Sequence, residues 1–208
     1  LELSSISSCI IASVVPEALL SLRIFNEKYL NINPIVVGDH NLELGIEINI
    51  DTPSEAGADR LVNAVAVKKF YQKSAIVVDF GTATTFDVVS KIGSYEGGVI
   101  APGVNLSLEA LYMAASRLPR ININNSYNKK VIGKNTKDSM GSGIYWGYIS
   151  LIEGIIEKIK RETQTNYLVI ATGGLSNIFS KDCKAIDVVD EDLTINGLIH
   201  IYNINNKK

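Results

Sequence analysis

The sequence predicts a mixed α/β fold, and three observations predict it. Apolar runs of strand length alternate with longer segments of helical periodicity along most of the chain. Three consecutive strand-like runs, 75–78, 84–90 and 94–100, break that alternation as a meander, which a purely parallel sheet does not contain. Hydrophobic residues make up 46% of the 208 and charged residues 20%, which is enough apolar material for a core.

Taken in order, residues 9–15 read as a buried strand, and Pro16-Glu17 opens a helix running to about residue 29. A short strand at 31–37 follows a Pro-marked turn, and 44–48 alternates as another. Residues 54–71 read as a helix with Ser54 as its N-cap and Glu55 in its first turn. The meander ends in Ala101-Pro102-Gly103, and 105–116 is helical. A loop through Leu118-Pro119 leads into the Asn- and Lys-rich stretch 122–130, the expected mobile loop. The longest helix spans 139–163, and its small residues Gly141, Ser142, Gly143 and Gly147 suggest close packing or close ligand approach. The remainder reads as a strand at 167–171, a Gly173-Gly174 turn, a short helix at 175–180, a strand at 185–189 and a helix at 193–202.

Composition narrows the function. A net charge of −2 carries no footprint for nucleic acid or an anionic membrane, and no apolar run reaches membrane-spanning length. Cys9 and Cys183 are far apart and lack metal-ligand spacing, so they read as free thiols of a reducing cytoplasm. His40 and His200 stand alone, which argues against a histidine-based metal site or triad. The chain opens at Leu1 rather than Met and passes at once into a strand, which raises the expectation of a further segment upstream.

The most informative stretch is Val77-Val78-Asp79-Phe80-Gly81-Thr82-Ala83-Thr84-Thr85. A strand that runs into an acid, a glycine and a cluster of hydroxyls makes a tight turn, with N–H groups and Thr side chains expected to converge on one small volume. Phosphate oxygens suit such a volume, and the Asp79 carboxylate would repel them unless a cation lay between. An ordinary hairpin rich in a good strand former has the same appearance. Gly57-Ala58-Asp59-Arg60 leaves room for a ligand beside a carboxylate whose ionised form the neighbouring guanidinium favours. Acids also favour a first helical turn for the sake of the macrodipole. Thr172-Gly173-Gly174 would let a ring or sugar lie against backbone, though such turns are common without ligands. Gly133-Lys134-Asn135-Thr136 feeds a helix N-terminus suited to an anion, or one simply capped by Ser139.

In this order the motifs resemble the type III pantothenate kinases. The resemblance runs through Ser13-Val14-Val15-Pro16, Gly57–Arg60, Asp79–Thr85, Gly97–Gly103, Leu118-Pro119, Gly133–Thr136, Ser139-Met140, Thr172–Gly174 and Leu193–Leu198, nearly the whole chain. It implies the actin-like ATPase and sugar-kinase superfamily fold of two related ribonuclease H-like halves, with 1–74 the remainder of an incomplete first half and 75–208 the second. The implied reaction is ATP-dependent phosphorylation of pantothenate to 4′-phosphopantothenate, the first step of coenzyme A biosynthesis.

By the same resemblance Asp59 is the catalytic base, and Gly57, Ala58, Asp59, Arg60 and Thr136 bind the substrate. Gly81, Thr82, Thr172, Gly173 and Gly174 bind ATP, and Asp79 holds a monovalent cation, potassium or ammonium, beside ATP with Mg²⁺. A cytoplasmic homodimer is implied, with the pantothenate pocket near the subunit interface and the helix from 139 contributing to it. The sequence departs from the family in two places. The family's opening Asp-x-Gly-Asn-Thr phosphate loop has no counterpart, and Ile50 stands where many members carry a tyrosine that encloses pantothenate. A truncated, non-catalytic homologue acting as a binding or transcription-accessory protein is the alternative expectation.

Overall fold

The computed structural model describes residues 3–114, 118–123 and 130–206. The elements in chain order are β1 (Ile10–Ile11), α1 (Pro16–Phe25), β2 (Ile35–Val36), α2 (Ala58–Ala66), β3 (Ala75–Phe80), β4 (Ala83–Val89) and β5 (Tyr95–Pro102). After these come α3 (Val104–Ala114), α4 (Thr136–Thr163), β6 (Leu168–Gly173), α5 (Ser176–Phe179), β7 (Val188–Val189) and α6 (Leu193–Asn205). They group into two units. The first gathers the described residues through Lys73, Val88–Gly97, and those from Asp192 onward; the second gathers Ser74–Asp87 and the described residues of Gly98–Glu191.

The first unit centres on α2, which is buried from Leu61 to Ala66. Ala58, Val62 and Val65 pack with Val37 and Ile201, and Ile10, Leu42, Leu44, Ile46 and Leu198 close around them. Burying each such side chain contributes on the order of 1.5–3 kcal/mol, so α2 is held by packing more than by propensity. The 9–15 strand contracts to β1, paired in parallel with β2, because its partner is two residues long and Gly38 (φ 108) turns the chain away. The 44–48 strand does not form: Gly45 takes a positive φ of 69 and only a single bridge joins Ile48 to Tyr95. Leu44 and Ile46 still reach the core, so the alternation was real but the ladder was not. Ser54 does not cap α2. Pro53–Glu55 forms a separate tight turn, Ala56 is extended, and Gly57 occupies the capping position.

The second unit holds most of a sheet ordered β5-β4-β3-β6-β7. β6 pairs in parallel with both β3 and β7. The connection from β3 to its neighbour β4 is two residues long, a length that permits only an antiparallel pair. The meander and the mixed sheet are therefore as the sequence predicts. α4 buries Met140, Ile144, Tyr148, Ile152 and Ile156, the fourth-residue stripe of a helix laid on a core. It starts three residues before the expected point, because the Asn135 side chain, not Ser139, accepts the Asp138 N–H at 2.9 Å. The expected end of α3 at 116 and most of the 122–130 loop lie outside the described residues.

Candidate functional site

In the second unit β3 is buried until Asp79, which is half-exposed, and Gly81 and Thr82 form an exposed turn. The Gly81 N–H donates to the Ala83 carbonyl at 3.0 Å and closes that turn. The parallel register sets Thr172 beside Asp79 and Gly173 beside Phe80. Gly173 has φ 86, and a β-carbon there would lie 2.6 Å from Asp79 Oδ1 and 2.8 Å from the Phe80 nitrogen and oxygen. On another side, a β-carbon at Gly103 would lie 2.0 Å from the Thr82 carbonyl oxygen. Asp79, Gly81, Thr82, Thr172 and Gly173 thus come together with Gly103, at separations only glycine permits. What remains accessible there is backbone, one hydroxyl and one carboxylate. Gly174 is exposed beside open space, and the Ser176 hydroxyl donates to the Gly173 carbonyl at 2.7 Å.

The threonines do not all converge on that volume, which corrects the expectation. Strand alternation turns Thr84 inward, fully buried, with no hydrogen-bond partner for its hydroxyl among the described residues. Thr85 donates instead to Asp87 at 3.0 Å, and Asp87 is itself buried. Thr82 is the hydroxyl left at the turn.

Asp79, which is half-exposed, and the oxygen-rich turn fit a hard cation by donor chemistry. Among the described residues no group of three or more His, Cys, Asp or Glu would hold a metal unaided.

Thr136 is exposed as the first residue of α4, and Gly133 is folded onto that helix, its missing β-carbon 2.3 Å from the Ser139 nitrogen. The small-residue start of α4 is only partly a packing device: Gly141 is buried, while Gly143 and Gly147 are exposed with nothing near their missing β-carbons.

In the first unit Gly57, Ala58, Asp59 and Arg60 form the opening of α2. Asp59 Oδ1 accepts the Arg60 N–H at 2.9 Å, and a β-carbon at Gly57 would lie 2.7 Å from the same oxygen. The carboxylate therefore folds back over its own helix end and stays half-exposed. The Arg60 guanidinium stands 5.5 Å from the ring centre of Tyr95, which is buried, so a cation–π contact orients its fork. Sequence reasoning missed Tyr95; nothing in its neighbourhood signals a partner so remote in the chain. Behind the opening, Thr194 donates to the buried Asn63 at 2.7 Å, and Gly197 lets α6 close to the Val62 carbonyl, 2.4 Å from where a β-carbon would be.

The family model for type III pantothenate kinases matches residues 1–158. A type III pantothenate kinase of Paramagnetospirillum magneticum is 52% identical over 200 residues, which are 96% of this chain and 76% of that one. Its counterpart from Phenylobacterium zucineum is 50% identical over 208 residues, 100% of this chain and 80% of that one. A crystal structure from Campylobacter jejuni, described as a Baf family transcriptional activator, aligns with a TM-score of 0.68 at 20% identity, covering 99% of this chain and 87% of that one. At that identity the likeness carries the fold alone, the actin-like ATPase and sugar-kinase fold that the family resemblance implies.

Proposed function

The chain belongs to the type III pantothenate kinase family, and on that premise we propose how its residues carry the reaction. That reaction is the ATP-dependent phosphorylation of pantothenate, the first step of coenzyme A biosynthesis. Phosphoryl transfer asks for positioning and charge neutralisation more than covalent chemistry. Asp59 takes the proton of the pantothenate hydroxyl as that oxygen bonds to the γ-phosphorus. The bond from γ-phosphorus to the bridging oxygen breaks, and ADP leaves. Arg60, oriented on Tyr95, pairs with the pantothenate carboxylate. Gly57 and Ala58 leave room for the chain of the substrate, and Thr136 adds a hydrogen bond to it.

The Gly81–Thr82 turn holds the ATP phosphates. With the Gly81 N–H engaged by Ala83, the donors there are the N–H and hydroxyl of Thr82. Thr172, Gly173 and Gly174 accompany the adenosine. Asp79 and the turn's oxygens would hold the monovalent cation, which would neutralise phosphate charge when bound beside ATP with Mg²⁺. The family's homodimer and cytoplasmic location are part of the same reading. So is the division into halves at 1–74 and 75–208. The absence of nucleic-acid partners is supported by the net charge of −2. Among the described residues no helix is long and apolar enough to cross a membrane.

The observation that carries this reading is the glycine-lined approach of Gly103 and Gly173 to the Asp79–Thr82 turn, which keeps the turn free of side-chain bulk. The test is a steady-state assay of this chain with pantothenate, ATP, Mg²⁺ and potassium. Equal amounts of ADP and 4′-phosphopantothenate are expected. Binding of both substrates without turnover would favour the non-catalytic alternative.

A further inference from the structure

Tyr148 of α4 is 6% exposed, and its ring lies 5.9 Å from that of Phe179. Phe179 in turn stacks on Phe80, the residue after Asp79, at 5.3 Å with the planes 4° apart. A phenylalanine at 148 would keep these ring contacts, so the hydroxyl is what tyrosine adds. That hydroxyl donates to the Pro102 carbonyl at 2.8 Å. A phenol has one proton, so in its 2.6 Å contact with Ser107 the serine is the donor. Pro102 ends β5 and Ser107 lies in the opening of α3, with Gly103 between them. The Ser107 N–H also donates to the Gly103 carbonyl at 3.0 Å. Both sides of the Gly103 turn are therefore tied to one hydroxyl, and this turn is the surface against which the Thr82 and Gly81 carbonyls rest.

We propose that Tyr148 and Ser107 are positioning residues for ATP: they staple the Gly103 turn and thereby set the Gly81–Thr82 turn that holds the phosphates. The proposal rests on the reading of Thr82 as a phosphate contact. It assigns a role in the nucleotide site to a hydroxyl that contacts no nucleotide, and it separates Tyr148 from Tyr145. Tyr145, on the same helix as Tyr148, donates its hydroxyl to Asp182 at 2.5 Å.

The experiment compares Tyr148→Phe, Ser107→Ala, Ser107→Thr and Thr82→Val, using hydrogen exchange of the 81–83 and 103–107 amides and separate KM values for ATP and pantothenate. Tyr148→Phe and Ser107→Ala should speed exchange in both segments. Each should raise KM for ATP about 2- to 10-fold, the fold-change of one lost hydrogen bond, with KM for pantothenate unchanged. Ser107→Thr should restore both readouts. Unchanged exchange in both Tyr148→Phe and Ser107→Ala overturns the staple. Faster exchange with KM for ATP unaltered overturns its link to the nucleotide, as does an equal rise for both substrates. If Thr82→Val leaves KM for ATP unchanged while Tyr148→Phe raises it, the phosphate reading of Thr82 fails and the staple stands through another atom of the turn.

Discussion

Gly173 and Asp79 stand so close that a β-carbon on the glycine would lie 2.6 Å from the aspartate's Oδ1. The strand ends beside the Gly81–Thr82 turn thus meet through a missing side chain. Gly173→Ala meets that clash and a φ of 86, and should cost about 1–3 kcal/mol of stability. It should also displace Asp79 and weaken ATP binding, read by urea unfolding and nucleotide titration. A folded variant with parental ATP affinity would remove this strand end from the nucleotide site.

Asp59→Asn retains an oxygen for the Arg60 N–H and so keeps the opening of α2. On the proposed mechanism it removes the proton acceptor. The expected result is a fall in kcat of about 10²–10⁴-fold, with ATP affinity near that of the parent. A rate close to the parent's would exclude Asp59 as the base.

Thr194→Val deletes the hydroxyl that donates to buried Asn63 while keeping its volume. A buried amide deprived of that donor should cost about 1–3 kcal/mol, seen in the urea midpoint. Thr194→Ser should lie near the parent. Equal losses in the two variants would point to packing of the methyl rather than to the hydrogen bond.

α4 ends on Gln164 in the left-handed region, φ 52. That conformation burdens a residue bearing a β-carbon, and the side chain is exposed. Gln164→Gly should therefore stabilise the protein by about 0.5–1 kcal/mol, even though it gives up the bond from Gln164 Nε2 to the Arg161 carbonyl. A lower melting temperature would show that this bond outweighs the backbone strain.

Burial pushes the Cys183 thiol above the ordinary thiol range; the backbone at Ala185 opposes the rise, Glu153 adds to it, and the backbone at Ile186 opposes it again. The folded state thus holds this proton more tightly than the unfolded chain. The resulting stability is whole below the unfolded pKa and is lost as pH climbs from there through the folded one. Stability should fall more steeply above about pH 8.5 in the parent than in Cys183→Ala. Identical slopes would mean the thiol does not titrate on unfolding.

What was legible in the sequence is what neighbours in the chain decide. The β3–β5 meander follows from apolar runs punctuated by Gly81, Gly93 and Pro102, and the helix after Pro16 from its first residue. Residues 79–85 and 57–60 stood out as candidates because each motif is contiguous, whereas the approach of Gly103 and Gly173 to the first is made only by folding. What was not legible depends on chain segments that meet only after folding. Tyr95 under Arg60, the tie of Tyr148 to Pro102, and the inward turn of Thr84 have no local signature. The 44–48 stretch misled because its alternation reflects burial against α2, not a ladder of hydrogen bonds.

The contact of Gly103 with the Thr82 carbonyl also bears on how this protein can change over generations. Every coding substitution of a glycine adds at least one carbon, and at Gly103 that carbon falls on an atom already in place. Drift by small steps is therefore closed at this turn. A new residue could enter only together with a rearrangement of the hairpin opposite, so the two segments must be inherited, or redesigned, as one piece.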